Sequence, residues 1–189
     1  MPVTAPFAAN TYAVVDVPSP VADHVMAIRQ RHRDELRSAL PVEITMAGSS
    51  GIGEFEAGQD PTEVFTILDK IATETAPIHA TFGPVRRFPN TDIFVLTLAD
   101  EHPFRTLHER IAASGIRFRA SPFPYTPHCT LRSRSPVSDE DAADLLSVRL
   151  ADEFTIDTLT VYMLDKLPCT LLHRVPLTGR SPIAAPPQL

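Results

Sequence analysis

Short apolar runs of period two alternate along the chain with longer stretches whose apolar residues return every three or four positions. Thr11 to Val17 (TYAVVDV) reads as a strand. Ser19-Pro20 follows as an N-cap with proline at the first helical position. Val21, Val25, Ile28 and Leu36 then recur at helical spacing, which predicts one amphipathic helix from Pro20 to about Ala39. Val42, Ile44 and Met46 alternate with Glu43, Thr45 and Ala47, a strand with one apolar face. Gly48 to Gln59 is a glycine-rich loop. Asp60-Pro61-Thr62-Glu63 opens a second helix carrying Val64, Phe65, Leu68 and Ile71, and Ile78 to Phe82 is a short strand.

The pattern then begins again. Asp92 to Leu98 is a strand, and Phe104, Leu107 and Ile111 mark a helix that ends near Gly115. A loop broken by Pro122, Pro124 and Pro127 leads to the strand His128 to Arg132. Ser138 to Ser147 is a helix, and Phe154 to Met163 and Thr170 to Leu177 are the closing strands. Two copies of strand–helix–strand–helix–strand predict an α+β fold, bilobal and duplicated, with two antiparallel sheets facing a central groove. The expected organisation is a single bilobal domain over 1–177. Lobe one covers about 11–83 and lobe two about 92–177, with exchange of strands between lobes left open. Residues 178–189, with Pro182, Pro186 and Pro187, form a flexible tail.

Composition narrows the function classes. The 189 residues carry a net charge of −6, which argues against a general nucleic-acid coat. The charge is unevenly spread: Arg110 to Ser138 contains Arg110, Arg117, Arg119, Arg132 and Arg134 and no Asp or Glu. Arg86 and Arg87 lie together outside it. No apolar run approaches the roughly 20 residues of a membrane helix, and Met1 to Asn10 lacks the basic and apolar regions of a secretory signal. The two cysteines, Cys129 and Cys169, belong to no CxxC or Cys/His spacing, so neither a zinc site nor a disulfide framework is expected. The expectation is a cytoplasmic monomer without cofactor, because no long exposed apolar stripe demands a partner.

One strand carries chemistry. Residues i and i+2 share a strand face, so His128 and Thr130 point one way and Cys129 and Leu131 the other. An imidazole beside a hydroxyl suits a phosphate: the ring passes a proton near neutral pH and the hydroxyl donates to a phosphoryl oxygen. Cys129 is on the opposite face, a poor arrangement for a Cys/His nucleophile, and is read as buried. His24 and His32, on the first helix, are read as solvated. His102 and His108, six apart, do not share a helical face as a metal pair would. Gly48 to Gly53 lacks the spacing of a phosphate or dinucleotide loop.

Tyr125-Thr126-Pro127-His128-Cys129-Thr130-Leu131-Arg132 resembles the second signature of the 2H phosphoesterases, the 2′-5′ RNA ligase-like superfamily. Phe82-Gly83-Pro84, Phe88-Pro89 and the terminal Leu171 to Leu177 resemble that family's connecting and closing segments, so the likeness runs from about Thr11 to Leu177. The resemblance implies two His-x-Thr motifs, one per lobe, flanking a phosphodiester. One histidine would act as general base, the other as general acid, and the hydroxyls would hold phosphoryl oxygens without a metal. Implied substrates are 2′,3′-cyclic phosphates at RNA ends, cyclic nucleotide phosphates or 2′-5′ linkages. Arg132, Arg134 and Tyr125 are the candidate phosphate- and substrate-binding residues.

The first motif departs from that pattern. His79-Ala80-Thr81 matches it literally, but the repeat aligns Glu43-Ile44-Thr45 with His128-Cys129-Thr130. Glu43 and Thr45 are therefore the positional equivalents, and His79-Ala80-Thr81 is read as a chance match. His79 re-enters only if its strand pairs beside Val42 to Ala47, where its ring would stand in for the missing imidazole. Glu43 can serve as a base if burial raises its pKa, and needs arginine to offset its repulsion of phosphate. Three functions remain: a 2H-type phosphoesterase acting on RNA or a nucleotide, a catalytically impaired member that binds an RNA end or nucleotide, and a structural or interaction domain.

Overall fold

The computed structural model describes Phe7 and residues 10–180. The leader expectation, apart from Phe7 and Asn10, and the tail from 181 to 189 lie outside the described residues. In chain order the elements are β1 (Thr11–Asp16), α1 (Val21–Arg31), α2 (Glu35–Ser38), β2 (Glu43–Ala47), β3 (Glu54–Phe55), α3 (Pro61–Thr73), β4 (Ile78–Arg87), β5 (Phe94–Leu98), α4 (His102–Ala112), β6 (Phe118–Arg119), β7 (Cys129–Arg132), α5 (Asp139–Ser147), β8 (Glu153–Ile156), β9 (Thr158–Met163) and β10 (Thr170–Pro176).

Two four-stranded antiparallel sheets result, one in the order β10-β9-β1-β2 and the other β7-β5-β4-β8. Each sheet draws strands from both copies of the sequence pattern. β4 ends the first copy but pairs with β5 and β8, while β9 and β10 end the second copy but pair around β1. The helices cross over as well. α3 and α4 pack on the first sheet, and α1 and α5 on the second. The core is continuous through both lobes, with Ile44, Met46 and Leu68 in one and Phe94, Leu96 and Leu131 in the other all fully buried. The stretch 153–163 is not one strand. It leaves one sheet at Ile156, turns at Asp157 and enters the other at Thr158. β4 runs ten residues, past Gly83-Pro84, where its register with β5 shifts.

The helix expected over 20–39 is two. Arg33 adopts φ +55°, and Asp34 starts α2 by accepting the Arg37 N–H at 2.9 Å. The same carboxylate accepts the Ser133 and Arg134 amides at 2.7 and 3.2 Å, so the break docks α2 on the end of β7. His32, expected in solvent, is 4% exposed, with its ring between Asp141 (3.2 Å) and Asp144 (2.8 Å) of α5. Of the tail, Thr178 and Gly179 donate to Ala72 and Thr75 at the end of α3. No helix among the described residues is long and apolar enough to cross a membrane.

A two-stranded ribbon of β3 and β6 bridges the lobes where the sequence shows only loop. Gly53 makes it possible. It sits at φ +90°, and a Cβ there would stand 1.8 Å from the Arg119 carbonyl oxygen. Backbone cannot move aside as a side-chain tip can. Gly53→Ala is therefore expected to cost about 1–3 kcal/mol. Thermal melts should show a Tm lower by several degrees, and an unchanged Tm would contradict this account of the ribbon.

Candidate active site

β2 and β7 are the edge strands of their sheets, and they lie against one another where the lobes meet. Across this seam the Glu43 charge acts on the Cys129 thiol, which burial pushes up. The two strands are registered alike on their neighbours. In the first sheet Val14 faces Thr45 and Val15 faces Ile44. In the second Val95 faces Thr130 and Leu96 faces Cys129. Both ladders slip just before the valine, so that Ala13 faces Ala47 and Phe94 faces Arg132. This shared irregularity makes Thr45 the counterpart of Thr130, and Glu43 the counterpart of His128.

His128 sits one residue before β7. Its Nδ1 is 2.6 Å from the Thr126 carbonyl oxygen. A carbonyl only accepts, so Nδ1 carries the proton and Nε2 presents a lone pair. Phe88 meets the ring edge-on, at 5.1 Å and 87°. Burial pushes the imidazole pKa below its ordinary 6.5. The Thr126 hydrogen bond opposes this, and the Arg37 charge adds to it. At neutral pH the ring is therefore a neutral base.

Glu43 and Thr45 share the face of β2 that lines the groove. Thr45 Oγ1 donates to Glu43 Oε2 at 2.9 Å. Burial pushes the Glu43 carboxyl above its usual 4.5, with the Arg37 charge, the Thr45 bond and the Arg29 charge pulling the other way. Arg37, on α2, feels Glu43 as its largest opposite charge and donates from Nε to Ser133 Oγ at 3.0 Å. It therefore lies within electrostatic reach of both Glu43 and His128. A cavity of about 170 Å³ opens beside it, lined by Tyr12, Val14, Arg37, Glu43, Thr45 and Tyr162 among others. Tyr12 and Tyr162 are cross-strand neighbours, and burial beside Glu54 pushes the Tyr12 hydroxyl up to about 12.

Behind the seam, the Arg29 side chain is fully buried. Its Nε and Nη2 donate to the Thr130 carbonyl oxygen at 3.0 and 2.8 Å, and its Nη1 to those of Arg37, Leu40 and Pro41 at 2.9 to 3.2 Å. One guanidinium thus fixes the backbone of β7 to the turn that carries Arg37 and leads into Glu43. Neither Arg29 nor Arg37 stood out in the sequence, because both fell within one expected helix. The signal that could have found Arg37 is Asp34-Glu35-Leu36-Arg37, a fresh N-cap inside the apolar pattern.

The other sequence candidates lie elsewhere. His79 and Thr81 are on β4, whose neighbours are β5 and β8 rather than β2. His79 Nδ1 is 2.9 Å from Thr155 Oγ1, and both residues line an outer depression with Ser19 and Glu153. Tyr125 stacks flat on His108 at 3.6 Å and donates its hydroxyl to the Thr45 carbonyl oxygen at 3.1 Å, so it braces β2. His108 in turn bonds the Met46 carbonyl through Nδ1 at 2.7 Å. Arg132 is buried and donates to the carbonyls of His32 and Pro136. With Arg134 it lines a second depression rather than this cavity.

The family model of the 2′-5′ RNA ligase superfamily matches residues 17–167. No curated protein sequence matches the chain. Among solved structures, TT0787 of Thermus thermophilus is similar with TM-score 0.65 and 17% identity, over 90% of this chain and 99% of that one. E. coli LigT complexed with 3′-AMP is similar with TM-score 0.58 and 15% identity, over 90% and 98%. E. coli LigT complexed with ATP gives 0.58 and 15%, over 93% and 100%. At such identities the structures speak for the fold alone. With the family match spanning most of its length, the chain belongs to the 2′-5′ RNA ligase superfamily, within the 2H phosphoesterases.

Proposed function

We propose that this protein is a phosphoesterase that opens a 2′,3′-cyclic phosphate, or cleaves a 2′-5′ phosphodiester, of RNA or a nucleotide, with His128 and Glu43 as an unlike proton-transfer pair. The observation that carries the proposal is that the residues after them, Ile44-Thr45 and Cys129-Thr130, keep matching register on the two strands that meet at the seam, which gives Glu43 and His128 equivalent places in the chain. Solved structures of LigT hold 3′-AMP and ATP, ligands of nucleotide size. In hydrolysis, His128 Nε2 takes a proton from water as its oxygen bonds to phosphorus. The Glu43 carboxyl gives a proton to the ribose oxygen as that P–O bond breaks. The Thr130 hydroxyl and the Arg37 guanidinium would hold the negative phosphoryl oxygens. Arg37 has a second task, offsetting Glu43 when it is ionised.

The pH dependence follows from the two shifts. The base must be neutral, so activity rises as pH climbs through a His128 pKa lowered from 6.5. The acid must be protonated, so activity falls as pH climbs through a Glu43 pKa raised from 4.5. The expected profile is a bell with its optimum on the acid side of neutrality. The test is hydrolysis of nucleoside 2′,3′-cyclic phosphates and 2′-5′ dinucleotides without added metal, across the acid and neutral range. Glu43→Gln should lose about 100-fold or more. Glu43→His should move the alkaline limb upward.

A second reading is binding without turnover. The Thr45 hydroxyl bonded to Glu43 favours it, because that hydroxyl is then not free for a phosphoryl oxygen. Wild type inactive on every substrate, with Glu43→His active, would select this reading. Neither turnover nor nucleotide binding in either protein would leave a structural or interaction role.

A further inference from the structure

Two arginines are buried among the described residues, and they are satisfied differently. Arg29 finds a carbonyl for Nε and for both terminal nitrogens. Arg132, 6% exposed, gives Nη1 to His32 and Nη2 to Pro136, but its Nε has no hydrogen-bond partner among the described residues. No carboxylate stands at ion-pair distance from Arg132 there. A buried guanidinium left in this state costs stability unless something anionic approaches it.

Arg132 lies in the wall of a depression of about 480 Å³ formed by the end of α1, the end of β7 and the start of α5. Arg31, Arg33 and Arg134 line it too, and Asp141 is the one carboxylate residue in the lining. That carboxylate is already committed, to His32 through Oδ1 and to the Ser138 hydroxyl through Oδ2. Arg31 is paired with Asp144 at 2.8 Å. Arg33 and Arg134 have no ion-pair partner among the described residues, and Arg134 Nη1 bonds the Arg33 carbonyl at 3.2 Å, which holds the two residues together. Three guanidinium groups without an ion-pair partner among the described residues therefore surround one concavity, with Asp141 the one carboxylate whose field reaches Arg132, and forked donors of this kind suit phosphoryl oxygens.

No residue lines both the depression and the cavity beside Arg37, but one hydrogen-bonded link joins their elements. Asp34 grips the Ser133 and Arg134 amides on one side and caps α2 on the other, while Arg37 reaches Ser133. From Thr130 to Arg134 the chain extends at most about 13 Å, at roughly 3.3 Å per residue. A phosphate in the depression would lie within a short run of nucleotides from one at His128.

We infer that Arg33, Arg132 and Arg134 form a second phosphate-binding site, which takes a backbone phosphate of a single-stranded oligonucleotide whose end occupies the groove. The inference deepens the phosphoesterase reading by making the substrate a chain rather than a lone nucleotide. Its test is kept apart from turnover by using an oligoribonucleotide with a 3′-hydroxyl, which offers no cyclic phosphate. The variant is the double substitution Arg33→Ala with Arg134→Ala, both exposed side chains. Binding of oligo(U) is followed by anisotropy across a range of salt concentrations. The expected result is affinity weaker by about tenfold, with the slope of log K against log salt lowered by about 1 to 2. Affinity for a mononucleotide should stay unchanged. If oligonucleotide binding is unaffected but stabilisation by inorganic phosphate is lost, the site stands with free phosphate as its ligand. If the variant matches wild type in both, the inference is overturned, whatever the fate of the catalytic reading.

Discussion

Arg29→Met is expected to destabilise the protein by about 3–5 kcal/mol, a fall in Tm of roughly 10 °C. Methionine fills most of the volume, so the loss isolates the polar contacts. Four carbonyls, the buried one of Thr130 and the half-buried ones of Arg37, Leu40 and Pro41, lose the same donor group. Each unsatisfied acceptor costs about 1–3 kcal/mol, while burying the guanidinium charge cost something that its removal returns. The sum stays unfavourable because four acceptors outweigh one desolvated cation whose donors were in place. Arg29→Lys keeps the charge but cannot bond two elements at once through a fork, so it should recover only part of the loss. Equilibrium unfolding in urea would measure both variants. A Met variant within about 1 kcal/mol of wild type would show that the seam does not depend on this clamp.

The same residue shows where sequence reading stops. Period-two alternation over Val42 to Ala47 and His128 to Arg132 was enough to locate both motif strands and to align Glu43 with His128, because that alignment is local. The partners of each strand are not local. Nothing in Ile78 to Phe82 tells which sheet it joins, and the answer decides where His79 goes. Asp157 has no turn signature strong enough to divide 153–163, yet the chain changes sheets there. A helical period across Leu36 hid the break at Arg33, and with it the short helix that delivers Arg37. Arg132 shares a face with Thr130 by simple alternation. At the end of the strand, however, its guanidinium turns to the His32 and Pro136 carbonyls. Long side chains at strand ends are poorly fixed by period alone, since their heads lie far from Cα.

His128→Ala is expected to lower kcat on a 2′,3′-cyclic phosphate by about 100- to 10,000-fold, the usual worth of one positioned acid–base group. The ring is the only imidazole that the described fold brings to the seam, since His79 stands on the outer β4–β8 ladder and His108 is stacked under Tyr125. KM should change little, because Arg37 and Thr130 remain to hold the phosphate. The Nδ1 bond to Thr126 adds a sharper expectation. It fixes the tautomer that leaves Nε2 free. His128→Gln, which can keep a hydrogen bond but cannot accept a proton at neutral pH, should be as inactive as the alanine variant. In both variants the acid limb of the pH profile should vanish, because the group that must lose a proton is gone. The alkaline limb set by Glu43 should persist in whatever activity is left. An alanine variant within about tenfold of wild type, with its acid limb intact, would move the base elsewhere and leave His128 a ring that packs on Phe88. Loss of both limbs at once would mean that the two groups titrate as one unit across the seam, with Arg37 carrying the coupling between them.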